Sequence, residues 1–285
     1  MEALFYNKLE DNKVECTLCP HNCKLNPAQT GVCLARENQN GTLIATAYGK
    51  LCSVSVDPIE KKPLNHFLPH TLTYSIAMAG CNLKCTNCQN DEISQHSCNE
   101  IAGKFYSPNV IVQLAYAYPS ISYTYTEPLI FFEFVLATAK LAHQAQKKNI
   151  IVSNGYINEK PLRMLAPYLD AANIDLKVFD DKLYKQITKG SLEPVLNTLK
   201  ILKASGVWVE ITNLIIPNHT DDMNIIRKMC EWLVVNGFSD NPLHFSRFFP
   251  RYKMMNIPVT PKETLLEAKE IAKNCGINYV YLGNI

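Results

Sequence analysis

Residues 72–90 read LTYSIAMAGCNLKCTNCQN, a buried-strand pattern that is followed at once by three cysteines. The apolar run 72–78 is typical of a strand in a parallel sheet that is covered on both faces. Cys81, Cys85 and Cys88 have the spacing C-x3-C-x2-C. Closed zinc sites and cubane iron–sulfur clusters both need four ligands. The triad therefore either finds a fourth ligand elsewhere in the chain or leaves one position open for another molecule.

From residue 71 onward, strand and helix patterns alternate. After 72–78, the strand patterns cover 121–125, 149–153, 172–178, 207–216, 243–249 and 277–283. The helix patterns cover 107–118, 128–148, 159–169, 192–204, 221–236 and 262–274. Such alternation predicts an α/β fold with a parallel sheet. Six or seven units in about 215 residues favour a partial TIM barrel of the (β/α)6 type over a full eight-fold barrel.

The cysteine and turn-former content of residues 1–70 predicts a small cysteine-rich N-terminal domain, followed by the barrel at 71–285. Cys16, Cys19, Cys23 and Cys33 have the spacing C-x2-C-x3-C-x9-C, which provides four thiolates for a closed site. Zinc and a second iron–sulfur cluster are both compatible with this spacing. Two β-like runs, 42–49 and 51–57, predict a hairpin that turns at Gly49 and Lys50.

Composition restricts the class of protein further. Eleven cysteines in 285 residues, an odd number without a signal peptide, indicate metal binding in the cytoplasm better than a disulfide scaffold. The formal net charge is only +2 and no long basic block is present, so nothing indicates nucleic acid or an anionic membrane surface. No apolar run is long enough to span a bilayer.

Polar residues recur within or just after the predicted strands. They are Thr126 and Glu127, Ser153 and Asn154, Asp175 and Lys177, Glu210, Thr212 and Asn213, and His244 and Arg247. Because chemistry in TIM-like barrels collects at the carboxyl ends of the strands, we expect these side chains to meet the cysteine triad at that edge.

The triad that follows a first barrel strand resembles the signature of the radical S-adenosylmethionine (radical SAM) enzymes. Longer strings resemble the group related to pyruvate formate-lyase activating enzymes and, within it, the AmmeMemoRadiSam branch. Those strings are CTLCPHNC, GVCLARENQNG, DPIEKKPL, GCNLKCTNCQN, YTEP, SNGY, NIDLKVFDD, TNLIIPNHTDD and SRFFPRYKM.

The resemblance implies that Cys81, Cys85 and Cys88 hold a [4Fe-4S] cluster and that S-adenosylmethionine supplies the fourth ligand. Its reductive cleavage would give a 5′-deoxyadenosyl radical that abstracts hydrogen from an unidentified small molecule, peptide or protein. The implied cofactor contacts are Glu127 with Thr126 at the methionyl amine, Ser153 and Asn154 near the ribose or methionyl part, and Asp175, Lys177, Asn213, His244 and Arg247 around the site. The implied partners are a flavodoxin or ferredoxin as reductant, and Memo-like or Ammecr-like proteins as neighbours.

The chain also departs from its relatives. Asn87 stands where many of them have an aromatic residue before the third cysteine, and YTEP lacks a glycine pair. Val152 stands where the activating enzymes have an acidic residue, so the resemblance does not imply a cation bound at this position.

Three alternatives stay open. A glycyl-radical-enzyme activating enzyme is disfavoured, because many of these carry an eight-cysteine insert and only Cys98 lies between Cys88 and Cys230. A protein of another class, an iron–sulfur electron carrier or metal-binding protein without substrate, fits the cysteines but not the polar residues at the strand ends. The third is the loss of a tail that relatives often carry beyond YVYLGNI.

Overall fold

The computed structural model describes residues 1–285. Its strands are β1 (Tyr6–Lys8), β2 (Val14–Cys16), β3 (Lys24–Leu25), β4 (Arg36–Gln39), β5 (Thr42–Ala45), β6 (Lys50–Pro58), β7 (Leu72–Met78), β8 (Lys104–Phe105), β9 (Ser120–Tyr123), β10 (Lys148–Ser153), β11 (Ala171–Asp175), β12 (Trp208–Ile215), β13 (Leu243–Arg247) and β14 (Val280–Gly283). Its helices are α1 (Asp91–Ser94), α2 (Pro108–Leu114), α3 (Phe132–Gln144), α4 (Glu159–Leu165), α5 (Asp181–Thr188), α6 (Leu192–Ala204), α7 (Met223–Val235) and α8 (Lys262–Cys275).

Nine strands form the central sheet, in the order β14-β13-β12-β11-β10-β9-β7-β6-β8. The seven strands from β14 to β7 run parallel, and β6 pairs antiparallel with β7. The edge strands β14 and β8 do not pair with each other, so the sheet stays open. This confirms the prediction of an α/β partial barrel. None of the helices combines the length and apolarity that crossing a lipid bilayer requires.

Local capping explains where several helices begin. Helix α2 begins after Ser107, whose hydroxyl accepts a hydrogen bond from the Val110 backbone N–H, and Pro108 takes the first helical position. Helix α5 was not predicted from the sequence. The Asp180 carboxylate caps it by accepting from the Leu183 N–H at 2.8 Å, and Lys189 ends it in a left-handed conformation.

Side chains alternate between the two faces of the barrel strands. One face packs its apolar residues against the helices; Ile76, Ile121 and Ile211 belong to one large apolar cluster that also includes residues of α3, α6 and α7. The other face lines the barrel lumen and is mostly polar. There the Thr73 and Ser122 hydroxyls lie 2.7 Å apart.

The segment after β6 closes the amino end of this lumen and forms its floor. Ile59 and Leu64 pack against Ile150 and Ala171, and Trp208 borders this small apolar cluster. Because β6 runs antiparallel to β7, the segment starts at the amino edge of the parallel strands.

The floor is also held by polar contacts with the strands. The backbone N–H groups of Asn65 and His66 donate to the Glu210 carboxylate at 2.9 and 2.8 Å. The Asn173 side-chain amide donates to the Pro63 carbonyl at 2.8 Å. These contacts satisfy buried backbone groups that would otherwise destabilise a loop inside a barrel.

The predicted hairpin at Gly49 and Lys50 is wrong. Strand β5 pairs with β4, whereas β6 leaves the N-terminal region and joins the central sheet. The actual turn is Asn40-Gly41, where both residues have positive φ (51° and 88°). Two positive φ values in a two-residue turn match the twist of the flanking strands, and Asn-Gly is the pair that adopts them most readily.

A buried ion pair links the start of the floor to the lumen. The Lys62 ammonium lies 2.7 Å from the Asp57 carboxylate, and the Tyr125 hydroxyl also donates to that carboxylate. Burial opposes ionisation of Asp57, but these hydrogen bonds and the Lys62 charge lower its pKa to about 2. Its charge therefore stabilises the folded protein at neutral pH.

We expect Lys62→Met to lower the free energy of unfolding by about 2–4 kcal/mol, because the buried Asp57 carboxylate would keep its hydroxyl donor Tyr125 but only the exposed Lys61, 3.7 Å away, as a cation. The double variant Asp57→Asn/Lys62→Met should recover part of that loss. Urea unfolding of the four forms measures both effects. A single variant as stable as the wild type would contradict the assignment.

The same pair predicts a dependence on pH. Since the folded pKa of Asp57 lies below its ordinary value of 3.8, its contribution is present above that value and is lost as the pH falls towards 2. Asp57→Asn should therefore show a weaker loss of stability over this acid range than the wild type.

Candidate functional site

The cysteine triad lies in the loop between β7 and α1, at the carboxyl edge of the sheet. The end of α5 holds this loop: the backbone N–H groups of Lys84 and Thr86 donate to the Thr188 and Ile187 carbonyls, at 2.8 and 3.1 Å. Helix α5, which the sequence analysis missed, is thus part of the site's support. All three triad cysteines are half-buried and free of disulfides.

Burial controls the chemistry of these thiols. It raises the pKa of Cys85 to about 11 and raises that of Cys81 well above its ordinary value. The nearby Lys177 charge lowers the Cys85 value only in part. Thiols with such pKa values are protonated at neutral pH unless a bound cation stabilises the thiolates. The loop is therefore suited to a metal group rather than to free thiolate chemistry.

Two buried polar atoms within the triad have no partner in the protein. They are the Thr86 hydroxyl and the Asn87 side-chain carbonyl, both between Cys85 and Cys88. Buried polar groups are nearly always hydrogen-bonded, so unpartnered ones beside three thiols fit a site that completes itself with a bound group. The residues present thus fit an iron–sulfur cluster with an additional polar ligand.

Glu127 is almost completely buried next to the triad loop and caps the turn that starts at Pro128. Its carboxylate accepts hydrogen bonds from the Ser153 hydroxyl at 2.7 Å, the Asn154 N–H at 2.8 Å and the Leu129 N–H at 3.0 Å. Burial raises its pKa to about 7, although each of these bonds favours the charged form. Glu127 therefore ties the end of β9 to the end of β10.

The network continues from Asn154 to the triad. The Asn154 side-chain amide donates to the Asn82 side-chain carbonyl at 3.0 Å and lies 3.6 Å from the Cys81 sulfur. Asn82 in turn donates to the Tyr156 carbonyl at 2.7 Å. The Thr126 hydroxyl donates to the carbonyl of Met78, the last residue of β7, at 2.7 Å. The structure thus brings Thr126, Glu127, Ser153 and Asn154 together beside Cys81.

Asp175 and Lys177 form an ion pair of 2.6 Å just after β11. Burial opposes the Lys177 charge, but Asp175 and the Cys85 thiol hold its pKa above the ordinary value. Asn213 supports this turn by donating to the Leu176 and Lys177 carbonyls, at 2.8 and 3.3 Å. Its own side-chain carbonyl is buried without a partner.

Glu210, Thr212 and His244 hydrogen-bond inside the lumen and not to the triad loop, whereas Asn213 holds the Lys177 turn and Arg247 ends β13. His244 hydrogen-bonds Glu210 at 2.7 Å, and Glu210 is bound to the floor. Thr212 donates to Asn173 at 2.9 Å. Arg247 donates to the Thr260 carbonyl at 2.7 Å. Contact of His244 and Arg247 with a cofactor stays a prediction.

The four N-terminal cysteines line one cavity. Cys16 ends β2, Cys23 precedes β3, Cys33 lies three residues before β4, and Cys19 occupies the loop between β2 and β3. Burial raises the pKa of Cys19 to about 12 and that of Cys33 to about 11. Like Cys81 and Cys85, the thiols of Cys19 and Cys33 stay protonated at neutral pH unless they bind a metal.

This cavity has an ionic wall. The Arg36 guanidinium makes two hydrogen bonds of 2.7 Å to the buried Glu133 carboxylate. It also donates to the Ile130 and Leu4 carbonyls, at 3.4 and 3.0 Å. Ile130 itself lines the cavity and lies three residues after Glu127. The cysteine-rich region is therefore anchored on the segment that carries Glu127.

The two cysteine groups are in direct contact, which the sequence analysis did not detect. A Cβ atom at Gly80 would lie 2.5 Å from the Cys33 carbonyl oxygen, so the backbones of the two loops touch. His21, between Cys19 and Cys23, hydrogen-bonds the Asn82 carbonyl at 2.8 Å. Only the histidine in CTLCPHNC and the glycine before the triad could have indicated this contact.

We expect Gly80→Ala to lower the free energy of unfolding by about 3 kcal/mol or more, because the methyl group would collide with backbone and Gly80 has φ of +117°. The matched control is Gly206→Ala, with φ of +77° and no atom within 4 Å of the added methyl. It should lose only about 1 kcal/mol from the left-handed backbone. Urea unfolding compares the two, and equal losses would exclude the close contact.

Comparison with known proteins agrees with this geometry. The family model of the Radical SAM superfamily matches residues 75–230. Over its full length the chain is 46% identical to the uncharacterized protein MJ0808 of Methanocaldococcus jannaschii and covers 85% of it. It is 28% identical to the (2S)-3-sulfopropanediol dehydratase activating enzyme of Klebsiella oxytoca, over 38% of this chain and 34% of that one.

Solved structures share the fold. Streptococcus suis SuiB bound to S-adenosylmethionine aligns with a TM-score of 0.56 at 14% identity, over 75% of this chain and 51% of that one. A domain of a pyruvate-formate lyase-activating enzyme from Bacteroides vulgatus aligns with a TM-score of 0.51 at 15% identity, over 58% of this chain and 99% of that one. With the family match over more than half of its residues, the chain belongs to the radical SAM superfamily, whose enzymes use a [4Fe-4S] cluster and S-adenosylmethionine.

Proposed function

We propose that this protein is a radical SAM enzyme in which Cys81, Cys85 and Cys88 hold the cluster and the edge network from Glu127 to Asn154 orients S-adenosylmethionine. The observation that carries the proposal is the convergence of Glu127, Ser153 and Asn154 beside Cys81. An electron carrier has no use for a buried carboxylate and a carboxamide at this place. The bound group supplies reductive cleavage of S-adenosylmethionine to methionine and a 5′-deoxyadenosyl radical, which abstracts hydrogen from the substrate.

The residues at the edge would divide the work of binding. The Glu127 carboxylate, with Thr126 beside it, accepts a hydrogen bond from the methionyl amine. Ser153 and Asn154 lie near the ribose or methionyl part, and Asn154 stays close to the Cys81 sulfur. The Asp175–Lys177 pair borders the thiols on the other side, where the Lys177 ammonium offers a cation to a carboxylate. Asn213 holds the turn of Lys177, and its unpartnered carbonyl is free to accept a further bond.

The substrate belongs to the proposal only as a class: a small molecule, peptide or protein with an abstractable hydrogen. Activation of a glycyl radical enzyme is the second candidate. It is supported by similarity to proteins named as activating enzymes from Klebsiella oxytoca and Clostridium scatologenes, over 38% and 45% of this chain. It is opposed by the missing cysteine insert. A glycyl radical signal in a partner protein would distinguish this candidate.

We further propose the AmmeMemoRadiSam branch as the chain's place within the superfamily. The support is the set of long strings that includes DPIEKKPL and SRFFPRYKM. Memo-like or Ammecr-like proteins are then the proposed neighbours, and a flavodoxin or ferredoxin the proposed reductant. Co-purification with such proteins from a native extract tests the branch.

Cys85→Ala should abolish S-adenosylmethionine cleavage, because the cluster would lose one of its three protein ligands. The measurement is production of 5′-deoxyadenosine by the anaerobically reconstituted, dithionite-reduced protein. Cys275→Ala, at the half-buried end of α8, is the matched control and should cleave the cofactor normally. Full cleavage by the Cys85 variant would refute the proposed function.

Glu127→Gln should weaken S-adenosylmethionine binding by about tenfold to a hundredfold, since a charge-assisted hydrogen bond contributes about 1.5–3 kcal/mol. The amide would also place a donor against one of the three groups that donate to Glu127. Equilibrium dialysis on the cluster-loaded protein measures the affinity. Glu159→Gln on the exposed side of α4 controls for the lost charge. Equal affinities would exclude Glu127 from the cofactor site.

A further inference from the structure

We propose that Cys16, Cys19, Cys23 and Cys33 hold a second [4Fe-4S] cluster, and that this cluster passes single electrons to the triad cluster. The proposal rests on the proposed function, because the acceptor is the cluster at Cys81, Cys85 and Cys88. It adds the identity of the N-terminal metal group and a route for the electron. Three independent features of the structure support it.

The first feature is the arrangement of the thiols. A single zinc ion needs its four ligand atoms within about 2.0–2.3 Å of one point. No three Cys, His, Asp or Glu side chains anywhere in the chain are placed to hold one metal ion. The four thiols nevertheless line a common cavity. In a cubane cluster each cysteine binds a different iron, so its ligands surround a volume instead of a point.

The triad provides an internal comparison. Its three cysteines belong to a superfamily that uses a [4Fe-4S] cluster, and they too do not converge on a single ion position. Neither group therefore has its thiols gathered around the position of a single ion. Gly31 adds to this picture: a Cβ atom there would lie 3.8 Å from both the Cys23 and the Cys33 sulfur. Gly31 therefore lies next to both of these thiols in the wall of the cavity.

The second feature is the direct contact between the two groups. The Cys33 carbonyl touches Gly80, whose next residue is the triad ligand Cys81. His21 adds a hydrogen bond from inside the N-terminal group to Asn82 on the other side of Cys81. A structural zinc site could stabilise the fold from any place on the surface. Contact between the ligand Cys33 and the residue bonded to the ligand Cys81 instead provides the short covalent and van der Waals path that electron transfer requires.

The third feature is the charge around the groups. Lys84 lies in the triad loop next to Cys85, is half-buried, and donates from its ammonium to the Cys81 carbonyl at 3.5 Å. Arg36 is a cation in the wall of the cavity that the four N-terminal cysteines line. Each thiolate-bound cluster is an anion, and its reduction adds one more negative charge. The cations beside both groups, Lys84 and Arg36, stabilise that added charge.

The electron balance of the transfer is simple. A one-electron donor of the flavodoxin or ferredoxin class gives one electron to the N-terminal cluster, which changes from the 2+ to the 1+ state. It returns to 2+ when the triad cluster takes the electron and becomes 1+. No atom or proton is transferred between the two groups.

The first test is a metal count on the anaerobically reconstituted full-length protein. We expect about eight iron and eight sulfide per chain. About four iron with about one zinc would overturn the proposal, and so would about four iron alone. This count needs no variant and is therefore independent of any effect on folding.

The second test assigns the clusters by EPR after reduction. Cys19→Ala/Cys33→Ala should retain about four iron, with a spectrum that shifts when S-adenosylmethionine is added. Cys85→Ala/Cys88→Ala should also retain about four iron, with a spectrum that the cofactor does not move. Cys230→Ala, in the apolar cluster, is the control and should keep about eight. No iron in the second variant would refute the N-terminal cluster; no cofactor-dependent shift in the first would instead refute the proposed function.

The third test concerns the direction of electron flow. Freeze-quench EPR follows the cofactor-shifted signal of the triad cluster after mixing with reduced flavodoxin. We expect this signal to form at least tenfold more slowly in Cys19→Ala/Cys33→Ala than in Cys230→Ala. Equal rates would refute the electron relay. The identity of the N-terminal metal group would still be decided by the iron count. Circular dichroism of the apo variants identifies a loss of folding.

Discussion

The arrangement of the candidate site depends on one constraint, the burial of the Glu127 carboxylate. A carboxylate removed from water needs several donors, and here they come from the turn at Leu129 and from the loop of Ser153 and Asn154. Satisfying this one side chain therefore fixes the ends of β9 and β10 relative to each other. Because Asn154 also reaches Asn82 and Cys81, the same constraint positions the triad loop.

Charges are used in two different ways in this protein. Arg36 with Glu133 and Lys62 with Asp57 are buried pairs in which each charge has an opposite partner. They hold distant segments together, since removing one partner would leave the other uncompensated. Lys84, in contrast, forms no salt bridge and lies in the triad loop between Cys81 and Cys85 in sequence, with its ammonium 3.5 Å from the Cys81 carbonyl. The attraction between the Lys84 ammonium and the sulfurs of these cysteines becomes strong only when the sulfurs are thiolates. The lysine is therefore expected to stabilise the metal-bound state of the protein.

The sequence predicted the strands of the barrel and most of its helices, because each combines a strong apolar period with a clear start signal. Ser107-Pro108 is one example. It also predicted the edge cluster of Thr126, Glu127, Ser153 and Asn154, since these residues directly follow parallel strands whose ends must meet. Helix α5 was missed because it is only eight residues long and mostly polar. The predicted hairpin is wrong because the β-like runs 42–49 and 51–57 flank Gly49, whereas the turn that the chain forms is marked only by the pair Asn40-Gly41.

Other features could not be read from the sequence because they depend on contacts between distant residues. Glu210 and His244 occur on strands like the other polar residues, yet Glu210 binds the floor and His244 binds Glu210. Their position depends on the floor segment, which lies more than 140 residues before Glu210 in the chain. This contact forms only when the barrel has folded. The contact between His21 and Asn82 is of the same kind. The division into domains at residue 70 stays a prediction. Strand β6 of the central sheet lies on the N-terminal side of that boundary.

The anchoring of the cysteine-rich region has a consequence for how the protein is made. Its four thiols are synthesised early, but the partners that enclose them come much later: Arg36 binds Glu133, 97 residues on, and the Leu18 carbonyl binds the Asn158 N–H. On the ribosome these cysteines therefore emerge before the walls of their cavity have been translated. During that interval they are open to any thiol-binding ion. Binding of the proposed metal group has to follow completion of the barrel, or be controlled by whatever delivers the metal to the nascent chain.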